Sequence, residues 1–404
     1  MLARTINLYK NAYSGLTQKI WLLSIVMLIN RCGTMVLAFM TLYCSHLGFT
    51  VQQGGLVVAI YGVGSITGGF VGGKLSDKIG FYYMQVGALL LGGIMFIVLG
   101  QMKTYTSICI VTFLLSMVNE SFRPANATAI AYYSNAQNRT QSFSLIRLAI
   151  NLGWGIGSAL GGLLASINYH LLFWVDGCTN IVAAVILLFI LPFVSKAQQQ
   201  QTVGVHDEHT KEQTSPFKDT KFLYFLLFKL FFASCFFQIF TTVPIFFKSD
   251  LHLSEFDIGL IMSANGVLIA LFEMVIVFKL NGKRPYLLLM SYGAVLMSVS
   301  FLMLNIPFLN SFLVATMAVL TITVAEMIAM PFMNSFYIER SSQKTRGQYA
   351  GMYTMAWSAA QVIGSSTGAL FANHFGFVNL WFVVALFCMF AAAGYYWLLG
   401  YKSA

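Results

Sequence analysis

Charge is scarce in this chain: 9% of its 404 residues are Asp, Glu, Lys or Arg, where a soluble globular protein carries about 25%. With 58% of residues hydrophobic and a mean hydropathy of +0.75, such a surface cannot be wetted, and the solvent is lipid. Cysteine patterning is missing too. The six cysteines (Cys32, Cys44, Cys109, Cys178, Cys235, Cys388) show no CxxC and no framework spacing, and read as small residues packed inside spans. No histidine falls well inside an apolar run: His46, His170, His206, His209, His252 and His374 all lie in loops or at span edges, so any proton must ride on carboxylates. There is no HExxH, no Walker loop and no nucleotide domain, which argues against an intramembrane metalloprotease and an ATP-driven pump. No metal site, cofactor or catalytic group is therefore expected. Bases and aromatics are not interleaved in any polar segment, so no nucleic-acid partner is expected either. A membrane-embedded enzyme would need a nucleophile-base or metal constellation, and a receptor a soluble output domain; neither is present.

What is there is a series of apolar runs. A span takes roughly 20 apolar residues, and twelve can be placed, centred near Val36, Gly62, Gly92, Leu115, Asn151, Val185, Ala233, Gly266, Ala294, Val319, Met355 and Val384. The first follows Lys19, is too long for a signal peptide, and reads as a first span. With both termini cytoplasmic, seventeen Lys and Arg fall on the cytoplasmic side and only Lys103 and Lys248 opposite, so the positive-inside rule sets that orientation in an inner, plasma-type membrane. The formal net charge of +10 is then a topology signal.

The one long polar stretch, 195–221, separates two sets of six spans and reads as a cytoplasmic linker. The expected organisation is a bundle over 1–194, the linker, and a second bundle over 222–404. The halves resemble one another. At an offset of 207, Arg139, Gln141, Gly157, Ser158 and Gly161 fall on Arg346, Gln348, Gly364, Ser365 and Gly368, and Pro124 falls on Pro331. At 204, Gly55 and Gly62 fall on Gly259 and Gly266. Such a parallel repeat belongs to transporters that bind solute near the midplane between two halves. The expected fold is an all-α membrane protein of twelve helices in two six-helix bundles, and the expected partners are lipid, a small-molecule substrate and protons, with a monomeric chain. Glycines every fourth residue, at Gly64, Gly68 and Gly72 and at Gly153, Gly157 and Gly161, mark helix faces that admit a neighbouring backbone.

Eight ionisable residues lie inside spans: Arg31, Glu120, Arg123, Arg147, Asp176, Lys229, Glu273 and Glu326. A charge at the helix centre costs about 2.5–3.5 kcal/mol on insertion scales, so each must pair, face the interior or be neutral. Glu120 and Arg123 share a face at i, i+3 and can pair, as a fixed structural pair or as a proton-sensitive switch. Arg147, Asn151, Trp154 and Ser158 form one stripe on the fifth span; Arg31 lies over Gln238 at the repeat offset. Arg31, Arg147, Asn151, Trp154 and Gln238 are candidate cavity residues. Glu273 and Glu326 have no base three or four positions away, and Glu326 is the second candidate proton carrier. Asp176 and Lys229 stand near the ends of their runs, where snorkelling or salt bridges are expected.

The segment Gly73-Lys74-Leu75-Ser76-Asp77-Lys78-Ile79-Gly80 closely resembles the loop between the second and third helices of the major facilitator superfamily, G-x-L-x-D-[RK]-x-G. Phe81, Tyr82 and Tyr83 stand where that family places further bases. The resemblance implies a conformational lock built on Gly73, Asp77, Lys78 and Gly80, with Asp77 capping or pairing at a neighbouring helix. The run Asn151 to Gly162 resembles the fifth-helix glycine motif of drug:proton antiporters, with Gly157-Ser158 in place of Gly-Pro. The resemblance implies proton-coupled export of an amphipathic or cationic compound. Asn30-Arg31 with Tyr43 loosely resembles the E-x-x-E-R segment of peptide transporters, with Met27 and Asn30 at the glutamate positions, so a peptide or nutrient symporter and a lysolipid translocator stay open.

Overall fold

A computed structural model describes residues 2–194, 215–306 and 310–401; most of the expected linker, 195–214, lies outside the described residues. The described chain is helical: α1 (Leu2–Tyr13), α2 (Gln18–Cys32), α3 (Val36–His46), α4 (Val51–Ile79), α5 (Phe81–Leu99), α6 (Tyr105–Glu120), α7 (Phe122–Tyr133), α8 (Arg139–Ile167), α9 (Tyr169–Ile190), α10 (Thr220–Phe236), α11 (Thr242–Ser249), α12 (Glu255–Leu280), α13 (Tyr286–Met303), α14 (Ser311–Arg340) and α15 (Arg346–Gly400). Among the described residues ten helical stretches are long and apolar enough to cross a membrane. The longest, α15, leaves helical geometry at Gly376 (φ 81°, ψ 163°). Its 55 residues would extend about 80 Å at 1.5 Å per residue, so the Gly376 turn divides it into two crossings. The bent pair Asn7–Tyr13 and Gln18–Cys32, 88° apart, is a further candidate, and with the two crossings of α15 this gives twelve.

Local chemistry explains the boundaries. Thr50 and Gln53 form a reciprocal capping box at the start of α4, and Ser254 and Asp257 form another at the start of α12, separated by the same 204-residue offset as the paired glycines. Pro124 has no amide hydrogen to donate to the carbonyl of Glu120, and α6 ends at Glu120. Gly80, at φ 95°, makes the turn between α4 and α5 in a conformation that side chains disfavour.

Two compact units emerge. The N-unit holds Gly15–Pro216 and Ser341–Ser358; the C-unit holds Met1–Ser14, Phe217–Arg340 and Ala359–Ala404. Glycines set the packing inside each. In the N-unit, α8 lies against α2: a methyl group on Gly153 would sit 2.6 Å from Arg31 Cβ, and one on Gly157 would sit 2.8 Å from the Cys32 carbonyl. In the C-unit the repeat-equivalent Gly364 meets the Ser234 carbonyl at 2.5 Å by the same measure, and Gly368 meets the Gln238 side chain. Such contacts exclude a Cβ and let backbones approach closely. Gly64, Gly68 and Gly72 face α6 in the same way.

The first helix of each unit's repeat is interrupted at its centre, α2 from α3 at Gly33–Met35, and α10 from α11 by a 3₁₀ segment over Phe237–Phe240. Helix α1 belongs to the C-unit, where the Tyr9 hydroxyl donates to the Leu271 carbonyl at 3.0 Å.

Candidate functional site

The residues singled out by sequence form three clusters in the N-unit and separate positions in the C-unit. The first sits at the α6–α7 break. Glu120 is buried, and Arg123 Nε lies 2.6 Å from its Oε2. The proline that ends α6 places the acid on the last residue of one helix and the base on the second residue of the next. Arg31, the penultimate residue of α2, is within electrostatic reach of Arg123, Glu120 and Tyr61, and Tyr61 is hydrogen-bonded to Asn119. Three ionisable side chains, from three helices of which the first lies more than eighty residues before the other two, therefore share one site. On α8, Arg147 acts on Tyr353, while Asn151 Nδ2 is buried with no hydrogen-bond partner. Further along the stripe Trp154 is exposed, and Ser158 donates to its carbonyl at 2.8 Å.

The second cluster joins α4 to α15. Asp77 Oδ1 accepts from Gly347 N at 2.6 Å and Oδ2 from Gln348 N at 2.8 Å. These amides stand in the first turn of α15, where no intrahelical acceptor exists; a carboxylate there also faces the positive end of the helix dipole. Two glycine pairs bring the backbones together: a methyl on Gly73 would meet Gly351 Cα at 2.8 Å, and one on Gly351 would meet the Gly69 carbonyl at 2.6 Å. Lys78 is exposed. In place of trailing bases, Phe81 packs on Tyr132 and Tyr133, with ring centroids 5.2 and 5.7 Å apart.

The third cluster was misjudged from sequence. Asp176 does not snorkel at a helix end: it is 0% exposed, and its carboxylate caps the N-terminus of α3. Oδ2 accepts from Met35 N at 3.0 Å and from Val36 N at 2.8 Å. Asn30 Nδ2 donates to Asn180 Oδ1 at 2.9 Å, and Asn180 Nδ2 to the Asp176 carbonyl at 2.7 Å. The signal was local: Gly33 followed two residues later by donors that need an acceptor, in a span too polar at Asn30-Arg31 to run unbroken. Lys229 is likewise fully buried, mid-way along α10, rather than snorkelling.

In the C-unit Glu326 is buried, and it is not isolated. Asn265 Nδ2 donates to Glu326 Oε1 at 3.1 Å and to Thr323 Oγ1 at 2.9 Å. Glu273 is also buried, on α12. Gln238 bridges the α10–α11 break to α15: Nε2 donates to the Gly364 carbonyl at 2.7 Å, and Oε1 accepts from Thr242 at 2.6 Å. Its amide is thereby spent on protein partners. Among the cysteines, Cys178 is exposed rather than packed.

No group of three or more His, Cys, Asp or Glu with metal-binding spacing occurs among the described residues.

Comparison with known proteins matches the model of the Major Facilitator Superfamily over residues 22–365. An uncharacterized MFS-type transporter of Bacillus subtilis (strain 168), YttB, is 26% identical over 363 residues, 88% of each chain. Multidrug resistance protein 2 of the same organism is 24% identical over 82% of this chain and 83% of its own. In structure, the human organic anion transporter MFSD10 superposes with a TM-score of 0.74 at 12% identity, over 94% of this chain and 100% of that one.

Proposed function

The chain belongs to the major facilitator superfamily, and from that premise we propose that it is a proton-coupled secondary transporter exporting a small organic solute by alternating access. The observation that carries the coupling is the ion pair of buried Glu120 with half-buried Arg123 at 2.6 Å. A charge pair in lipid holds only while both partners are ionised. Protonating Glu120 therefore releases Arg123 and changes the field at Arg31, which gives a proton and a solute one shared set of residues. Glu326, held by Asn265, is the second carrier in this reading. Export is supported by the likeness to a multidrug resistance protein and by the glycine face of α8. Asp77, with Gly73, Lys78 and Gly80, acts as the lock: its bonds to Gly347 and Gln348 hold α15 to α4 in one state of the cycle. The chain works as a monomer with both termini in the cytoplasm.

The test is proton flux and solute flux measured side by side in proteoliposomes with a substrate panel. Glu120→Gln should abolish pH-driven transport while sparing solute exchange. Full pH-driven transport by Glu120→Gln would remove Glu120 from the coupling and leave Glu326 as carrier.

A further inference from the structure

The N-unit has three acidic residues among those described, Asp77, Glu120 and Asp176, and each is committed. Asp77 is bonded to two amides of α15, Asp176 to two amides of α3, and Glu120 to Arg123. Arg31 is left over. It makes no ion pair among the described residues, and its Nε is enclosed without a hydrogen-bond partner. The groups acting on it are Arg123, Glu120 and Tyr61. The first two are already a neutral pair, and Tyr61 is an uncharged donor. A cation in the middle of a span without a counter-charge is expensive, and an enclosed guanidinium nitrogen without an acceptor adds to that.

Packing does not require arginine there. Gly153 on α8 excludes a methyl because it would meet Arg31 Cβ, which engages the stem of the side chain and not its head. The repeat-equivalent position in the C-unit is occupied by Gln238, a neutral residue that satisfies its amide completely on Gly364 and Thr242. The same place in the fold is thus filled once by a residue that spends its polar atoms on protein and once by a cation that does not.

We propose that Arg31 is the recognition residue for an acidic group on the transported solute, so that the solute is an organic anion or zwitterion with a carboxylate, phosphate or sulfonate rather than the cation that the antiporter resemblance implies. The guanidinium offers a planar fork that matches such oxygens, and Tyr61 supplies a further donor beside it. Arg123 adds positive charge when Glu120 is protonated, so proton uptake and anion binding reinforce one another at one site. This deepens the transport reading and rests on it, but binding needs no gradient and can be measured apart from coupling.

The experiment uses the full chain in nanodiscs, with decyl phosphate and decyltrimethylammonium as probes of equal tail and opposite charge. Three results are expected. Decyl phosphate raises the thermal midpoint of the wild type and decyltrimethylammonium does not. Arg31→Gln, which copies the Gln238 position, raises the midpoint without any probe because it removes an uncompensated, half-buried charge, and it loses affinity for decyl phosphate roughly tenfold or more. Arg31→Lys keeps the charge, loses the fork, and falls between. A lower midpoint for Arg31→Gln makes the arginine structural and overturns the proposal. An equal or larger shift with the cation, or no anion-specific shift at all, overturns it as well. If anion binding holds while Glu120→Gln still transports under a pH gradient, the coupling reading fails and the recognition site stands.

Discussion

Replacing Asp77 with alanine takes the acceptor from two backbone amides and from the Gln348 side chain, and removes the negative charge facing Arg346. Gly347 and Gln348 have no carbonyl within α15 to bond; their partners are Asp77 Oδ1 at 2.6 Å and Oδ2 at 2.8 Å. Losing a helix cap costs about 0.5–2 kcal/mol, and losing the charge at the positive end of the dipole about 0.3–1 kcal/mol more. A change of roughly 1–3 kcal/mol is a factor of about 5–150. Hydrogen–deuterium exchange on a peptide spanning 345–351 in nanodiscs should therefore show these amides exchanging faster by a factor in that range, with α5 and α9 unaffected. Gly347→Ala offers an independent route to the same loss, because its methyl would lie 2.6 Å from Asp77 Oδ1 and 2.5 Å from the Gly73 carbonyl, so the carboxylate must move. Since both substitutions break one interaction, the double variant should fall short of additivity, by on the order of 1 kcal/mol. Unchanged exchange in Asp77→Ala, or fully additive effects, would refute the cap as the link between α4 and α15.

Arg123→Ala leaves the Glu120 carboxylate buried without its base, and should destabilise the protein by about 3–5 kcal/mol; a thermal midpoint equal to wild type in the same detergent rules the pair out as a buried contact. Asp176→Leu removes the acceptor of the Met35 and Val36 amides and should loosen the α2–α3 break. The readout is faster maleimide labelling of half-buried Cys32 in a background lacking the other cysteines, and an unchanged rate means that the break does not depend on the carboxylate. Gly157→Val and Gly364→Val each force apart a backbone contact, at about 1–3 kcal/mol. Similar drops in thermal midpoint are expected for the two, and a drop in only one would show that the repeat in sequence is not a repeat in packing.

The transmembrane character, the twelve crossings and the family were legible in the sequence, because each depends on composition and short-range order. Lipid tolerates only apolar runs with internally satisfied backbones, and a span is a contiguous stretch of about 20 residues. The Gly73–Gly80 motif and the Glu120/Arg123 spacing are equally local, so Asp77 as a helix cap and the ion pair could be anticipated from them. The glycine face at Gly157 was visible as a period of four, and Gly364 as its counterpart at the repeat offset.

What only the tertiary structure decided is where each buried charge finds its partner. Asp176 looked like a residue near a helix end because its run begins at Tyr169, but its partners are amides about 140 residues earlier in the chain, exposed by a break that Gly33 permits and no periodicity announces. Glu326 looked isolated because its neighbours at helical spacing carry no base, yet Asn265 reaches it from α12. Gln238 was aligned with Arg31 by the repeat, and only the packed chain shows its amide bonded to the Gly364 carbonyl. A sequence shows which groups lipid cannot tolerate, because that cost belongs to the residue. Which acceptor removes the cost depends on atoms within about 3 Å, and those come from helices that meet only when the chain is packed.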